Sequence, residues 1–387
     1  MADSEVLFTI TRDNLDTGLR GIPVGTCLTS DVDPQLGVTY VGYPIADVYD
    51  LEPEAVVYLL LHKNLPDAEQ LAAFRADLGR RMGIPQKALD VLQTLPREGH
   101  PMEWFINGLT LLGMVGKTGN YREDALNVIA WTPELVAAIY RIRSGWGELI
   151  KPDPSIGLVE NFVRMMGMPG ADNALLTSVL RNFYVLHMDH GGGNLSTFTG
   201  RAIASGLADT FSSLAGAMAS LYGPLHGRAN QDCLNFVRSV GSSDPVEVEK
   251  FVRDSIAKGD VIYGFGHAVL RAEDPRATIQ YALGQKLIPD DPLFKTALTL
   301  RTVAHNVLSE IGKVKNPNPN VDAVSGTLLS AVGLADSSFY TVLFGFARCS
   351  GIAAQIVDER LVQRKGKGVA IYRPDYLPEN QPPRRLG

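Results

Sequence analysis

Seven histidines punctuate the chain, and three of those between positions 187 and 267 sit beside glycine. They are His190 in His190-Gly-Gly-Gly-Asn194, His226 in Gly223-Pro-Leu-His226-Gly, and His267 in Gly264-Phe-Gly-His267. Glycine lets backbone approach a ligand closely, and loop histidines at such places are candidates for proton transfer or binding. His62 and His305 lack this setting and read as structural. Two chemistries fit the cluster. His187-Met-Asp189-His190, completed by His226 or His267, would make a metal site. The other is acid/base work on an anion, because His267-Ala-Val-Leu-Arg271 is followed closely by Asp274-Pro-Arg276, with Arg348 and Arg373 further on. Arginine presents planar, paired donors that fit carboxylates and keeps its charge when desolvated. A ring of arginines is an awkward neighbour for a dication, and no carboxylate-rich motif accompanies the histidines. The expectation is therefore an anionic substrate and no metal.

The segment Asn316-Pro-Asn-Pro-Asn-Val-Asp322 supplies a carboxylate. Prolines on both sides of Asn318 fix an extended loop, and Val321-Asp322 opens a helix. Taken alone, Asp322 reads as a helix N-cap. Beside the histidine loops it reads better as a positioned base.

The elements that must carry these groups are mostly helical. Residues 66–82 place Leu71, Phe74, Leu78 and Met82 on one face, and residues 291–312 repeat the pattern and close on Gly312. Two long stretches rich in small apolar residues, 196–222 and 337–362, read as buried central helices. Strand-like alternation is confined to 6–11, 38–41 and 369–372. The expected fold is all-α with minor β. A smaller domain is placed at 225–331 and a larger one at 1–224 plus 332–387, with a loose tail over 378–387.

Composition bounds the partners. Hydrophobic residues make up 45% and charged residues 20% of 387 positions, as in a globular protein. The net charge of −6 argues against nucleic acid and membrane surfaces as partners. No apolar run in the sequence reads as a membrane span, and the acidic, alternating N-terminus resembles neither a signal nor a transit peptide, so a cytoplasmic location is expected. Cys27, Cys233 and Cys349 are too few and scattered for a disulfide framework.

The motifs His187-Met-Asp-His190-Gly-Gly-Gly-Asn194, Gly-Pro-Leu-His226-Gly-Arg-Ala-Asn230, Gly-Phe-Gly-His267-Ala-Val-Leu-Arg271 with Asp-Pro-Arg276, and Asn-Val-Asp322 resemble those of citrate synthases, and they occur in family order. Gly18-Leu-Arg-Gly21, Gly42-Tyr-Pro-Ile45, His100-Pro-Met102 and Thr341-Val-Leu-Phe-Gly345 extend the likeness over nearly the whole chain. It is closer to the branch that includes mitochondrial enzymes than to the NADH-regulated bacterial one. The resemblance implies a two-domain helical enzyme of the tricarboxylic acid cycle, a homodimer that closes on its substrates. It would join acetyl-CoA to oxaloacetate without a cofactor. Asp322 would take the methyl proton, His226 would donate to the thioester oxygen, and His267 would polarise the oxaloacetate carbonyl. His190, Arg276, Arg348 and Arg373 would hold carboxylates, with Arg373 reaching the partner subunit's site. Val261, Gly264, Phe265, Gly266, Arg271, Asn316, Asn318 and Asn320 would meet CoA. The large domain would carry dimerisation and oxaloacetate binding, the small one CoA and the catalytic His and Asp.

Two positions depart from the family pattern. Gly191 stands where an acidic residue is common, and Val324 where a histidine or tyrosine often lies, which opens the question of acetyl against propionyl. The rivals are accordingly 2-methylcitrate synthase and a citryl-CoA lyase within the fold. Outside it they are a metal-dependent hydrolase and a non-catalytic helical scaffold.

Overall fold

The structure is a computed structural model that describes residues 6–267 and 269–377; the expected tail at 378–387 lies outside the described residues. Helices dominate, joined by one small antiparallel sheet of Ser30–Asp33, Gly37–Tyr40 and Tyr43–Pro44 in that order. Ser30 pairs with Tyr40 and Val32 with Val38. This puts Tyr40 in the core, where its hydroxyl donates to the Val185 carbonyl at 2.8 Å and accepts from the Asp189 N–H at 3.1 Å. The sheet thus buttresses the segment that leads into His190.

The centre is the Tyr340–Val357 helix, which buries every side chain but Phe344. Around it pack Tyr121–Ser144, Asn173–His187, Leu195–Ser205, Thr210–Leu221, Pro101–Gly116 and Pro53–His62, all earlier in the chain. Its small residues permit this crowding: a methyl at Gly351 would run into the Met188 carbonyl, just before the His190 loop. The stretch Ser337–Val362 is apolar and long enough to cross a bilayer by composition, yet 94% of its most apolar 18 residues are buried inside the fold.

Helix ends follow local chemistry. Asp67 and Gln70 form a capping box that opens Ala68–Arg81, and Asp291 caps Pro292–Ile311, which stops at left-handed Gly312. The expected single helix over 196–222 is instead two, Leu195–Ser205 and Thr210–Leu221. Leu207 is left-handed at φ 67°, and the Asp209 carboxylate accepts from the Ser212 N–H to start the second helix. The other central helix is α-helical only to Val357 and continues as a π-helical turn over Asp358–Val362. Of the three expected strands only the one near 38–41 forms; 6–11 and 369–372 find no ladder partner and stay irregular.

Between Ala229 and Ala331 the helices pack chiefly on one another. Ala229–Val240 lies on Asp322–Ala331, and Pro245–Lys258 lies on Pro292–Ile311. This group meets the rest of the chain where Pro275–Leu287 touches Ile45–Val48 and Asn173–His187, where Asp322–Ala331 touches Asn173–His187, and where Ala229–Val240 touches Tyr340–Val357.

Candidate active site

The loop carrying His190 is held from below by the buried Asp189 carboxylate. It accepts from Ser30 Oγ at 2.7 Å, Gln355 Nε2 at 2.8 Å, the His190 N–H at 2.9 Å, and Thr29 Oγ1. Asn194 donates to the carbonyls of His190 and Gly191, and its Oδ1 caps the Leu195–Ser205 helix at the Thr197 N–H. The His190 imidazole lies with its ring centroid 5.7 Å from that of His267. Burial, then Arg276 and Arg348, hold its pKa well below the ordinary value, so it is neutral.

His226 and His267 are locked in opposite tautomers. A backbone N–H can only donate, so any ring nitrogen facing one carries no proton. His226 Nε2 accepts from the Ser196 N–H at 3.1 Å, which leaves the proton on Nδ1. His267 Nδ1 accepts from the N–H groups of Val269 at 3.1 Å and Leu270 at 3.0 Å, which leaves the proton on Nε2. Desolvation, and after it Arg348, depress the His226 pKa to about 4. Desolvation and then Arg276 lower that of His267. Both rings are neutral hydrogen-bond donors near pH 7.

Arg348 is 2% exposed, with its guanidinium 4.7 Å from the Phe344 ring centroid. Its Nε donates to the His187 carbonyl at 2.9 Å and its Nη1 to Asn194 Oδ1 at 3.3 Å. Among the described residues no carboxylate pairs with it. Desolvation pulls its pKa down to about 10, which leaves it a cation. A buried guanidinium without a counter-ion is costly unless an anion arrives. Arg276, equally buried, is already paired: Nε and Nη2 meet the two oxygens of Asp274 at 3.0 and 2.7 Å. Burial opposes its charge, but Asp274 outweighs it and raises the pKa. Its Nη1 takes no part in that pair.

Asp322 opens the Asp322–Ala331 helix but does not cap it; Asn320 Oδ1 accepts the Asp322 N–H at 3.0 Å instead. The Asp322 carboxylate accepts no hydrogen bond among the described residues. It is partly buried, and desolvation pushes its pKa up to about 6 against the pull of Arg276. A carboxylate so placed is a stronger base than an ordinary one and still ionised at neutral pH.

The two loops expected to meet CoA are zipped together. Phe265 bridges Pro319, Gly266 N–H donates to the Asn318 carbonyl at 3.0 Å, and Asn320 Nδ2 donates to the Gly266 carbonyl at 2.9 Å. Gly264 is required here: at φ +82° its Cβ would lie 2.7 Å from the Ala323 Cα. Asn316 is buried, with its amide spent on the carbonyls of Leu270 and Ala272, while Val261 is exposed. Arg271 Nη1 donates to the Leu270 carbonyl, and its N–H to that of Pro34 in the sheet turn. Val324 is fully buried. Arg373 is exposed on its own subunit, beyond a Tyr372 that is held down.

The structure therefore brings His190 to His267, with Arg348 and Arg276 close enough to bias His190, and with Arg276 and Arg348 both acting on Asp322. It does not bring Arg373 to them within one chain. Sequence reasoning missed Ser196, which fixes the His226 tautomer, and the Asp189 and Asp274 carboxylates that support the loop and Arg276. The adjacency of Asp274 to Pro275 and Arg276 was the available signal for the last of these. No metal cluster assembles from His187 and Asp189. His187 Nδ1 lies on the Phe183 carbonyl, Asp189 takes hydroxyls, and no group of three potential ligands converges among the described residues.

The family model described as citrate synthase, C-terminal domain, matches residues 18–375. The chain belongs to the citrate synthase family. It is similar to citrate synthase 4, mitochondrial, of Arabidopsis thaliana, at 36% identity over 94% of this chain and 81% of that protein. The peroxisomal citrate synthase of Saccharomyces cerevisiae is also 36% identical, over 92% of this chain and 82% of its own. Among solved structures, citrate synthase from Thermotoga maritima superposes with a TM-score of 0.82 at 29% identity, covering 96% of this chain and 97% of that one. The Thermoplasma acidophilum citrate synthase, solved as a ternary complex with carboxymethyl coenzyme A and oxaloacetate, shares the fold at a TM-score of 0.84 over 96% of this chain and 97% of that one, with 24% identity.

Proposed function

We propose that this enzyme is a citrate synthase, an acyltransferase that condenses acetyl-CoA with oxaloacetate and hydrolyses the product thioester to citrate and CoA. One observation carries the assignment of roles: two neutral imidazoles with tautomers fixed by backbone, and a carboxylate of raised pKa that accepts no hydrogen bond among the described residues. Asp322 removes a methyl proton from acetyl-CoA as the His226 Nδ1–H stabilises the developing enolate oxygen. Removing one such donor typically costs about 3 kcal/mol in rate. The enolate carbon then attacks the oxaloacetate carbonyl, whose oxygen takes the proton of His267 Nε2–H, and the proton that Asp322 removed returns to restore the imidazole. Water cleaves the resulting thioester and CoA leaves.

Arg348, His190 and the free Nη1 of Arg276 hold the oxaloacetate carboxylates. The zipped loops, with Val261, Phe265 and Arg271 at their edges, receive CoA. A homodimer whose Arg373 completes the partner's site fits the exposure of that arginine. Residues 225–331 form the small domain, closing over oxaloacetate. The unpaired Cys27, Cys233 and Cys349 suit a reducing compartment such as the cytoplasm.

The deciding assay is release of free CoA thiol with oxaloacetate, from acetyl-CoA and from propionyl-CoA. Acetyl-CoA is the expected substrate, since the relatives carry citrate synthase names and Val324 is enclosed in the core. Faster turnover of propionyl-CoA would overturn the choice of acyl group. No thiol release from either would overturn the function.

A further inference from the structure

The site loop and the C-terminal segment are joined by a continuous internal chain of hydrogen bonds. The Asp189 carboxylate, which holds the His190 N–H, accepts from Gln355 Nε2 at 2.8 Å. Gln355 Oε1 in turn accepts from Arg201 Nη1 at 3.3 Å. Arg201 Nε meets Glu359 Oε2 at 3.2 Å, and its Nη2 donates to the Thr26 carbonyl at 2.9 Å. Glu359 Oε1 finally accepts from the Tyr372 hydroxyl at 2.9 Å. Asp189, Gln355, Arg201 and Glu359 are all at least nine-tenths buried, so the chain is shielded from water from Asp189 as far as Glu359. Tyr372 is further fixed by its N–H on Ser205 Oγ at 3.0 Å and by its ring against Phe198, 5.9 Å between centroids. The residue after this anchor is the exposed Arg373.

We propose that Tyr372 is a positioning residue for oxaloacetate binding: its hydroxyl clamps the C-terminal segment onto Glu359 and so presents Arg373 to a substrate carboxylate. The buried chain from Glu359 to Asp189 ties that clamp to the His190 loop. This rests on the reading of Arg373 and His190 as carboxylate ligands. The segment has no ladder bonds among the described residues, and the hydroxyl on Glu359 is the contact that joins Tyr372 to the buried chain.

The test is Tyr372→Phe in the full-length enzyme, which keeps the ring on Phe198 and deletes only the hydroxyl. Oxaloacetate binding by calorimetry should weaken by roughly tenfold, the lower end of the range for one hydrogen bond to a charged group. The kcat and the KM for acetyl-CoA at saturating oxaloacetate should stay within about twofold, which a general loss of structure would not allow. In an Arg373→Lys background the same change should weaken binding little further, because both act through one contact. Unchanged oxaloacetate binding in Tyr372→Phe, with Arg373→Lys weakened, overturns the clamp alone. Full additivity of the two changes also overturns it. Unchanged binding in Arg373→Lys overturns the role of Arg373 and the clamp with it.

Discussion

Replacing Asp322 with asparagine should inactivate the enzyme and make it more stable. The folded protein holds this carboxyl at a pKa of about 6, against an ordinary 3.8, chiefly because burial disfavours the charge. A folded pKa raised above the unfolded one means that the native state binds the proton more tightly. Stability from this group is therefore whole below pH 3.8 and lost as pH rises through about 6. At 1.36 kcal/mol for each tenfold, the full loss is about 3 kcal/mol, reached by pH 8. At pH 5 only about 1.6 kcal/mol is lost, since the native state is still mostly protonated. Asparagine keeps the shape and never ionises. Urea unfolding of wild type and Asp322→Asn at equal protein concentration should show the variant ahead by about 3 kcal/mol at pH 8 and by about half that at pH 5. Thiol release should fall by orders of magnitude at both. A variant no more stable than wild type at pH 8 would refute the claim that Asp322 is held at a cost to the fold.

The fixed tautomers make a paired prediction: asparagine at 226 should retain more activity than glutamine, and glutamine at 267 more than asparagine. The amide nitrogen of Asn overlays Nδ1 and that of Gln overlays Nε2; the reverse order in steady-state kcat would show that the assigned donors are wrong. Arg348→Met should weaken oxaloacetate binding by about 10- to 150-fold, the range for a hydrogen bond to a charged group, while unfolding at a higher urea concentration without ligand. Calorimetry and unfolding curves together check it, and unimpaired binding would contradict it. Mixed dimers of Asp322→Ala and Arg373→Ala, purified by two tags, should recover activity in one site of the two if Arg373 acts across the interface; no recovery places it in its own site.

Much of this site could be read from the chain because glycine and proline mark it. His190, His226, His267 and Asp322 all stand beside residues whose backbone constraints are visible in sequence, and the helices around Phe74 and Leu300 follow from spacing alone. What could not be read depends on how the chain turns and on what packs against it. Asp322 taken alone reads as a cap and beside the histidine loops as a base; the structure adds that Asn320 Oδ1 accepts the Asp322 N–H. The break near Leu207 was signalled by Gly206 and by Asp209 as a cap, but the apolar run on both sides hid it. The terminal alternation at 6–11 and 369–372 is real, yet a strand needs a neighbour to pair with, and among the described residues neither stretch pairs with one. Arg276 carries its own counter-ion two residues away, a pairing that the Asp-Pro-Arg spacing allows and the built turn fixes.

The placement of the central helix at Tyr340–Val357 governs how the protein can be made. Every helix that sheathes it precedes it in the chain, the earliest starting at Pro53. On the ribosome the faces that those helices turn to the central helix stay uncovered until Tyr340–Val357 emerges. The segment from Ala229 to Ala331, which packs largely on itself, can compact first. Nascent chains of this protein should thus carry a folded middle between unfinished flanks, and truncation before Val357 should leave aggregation-prone species rather than a shortened enzyme.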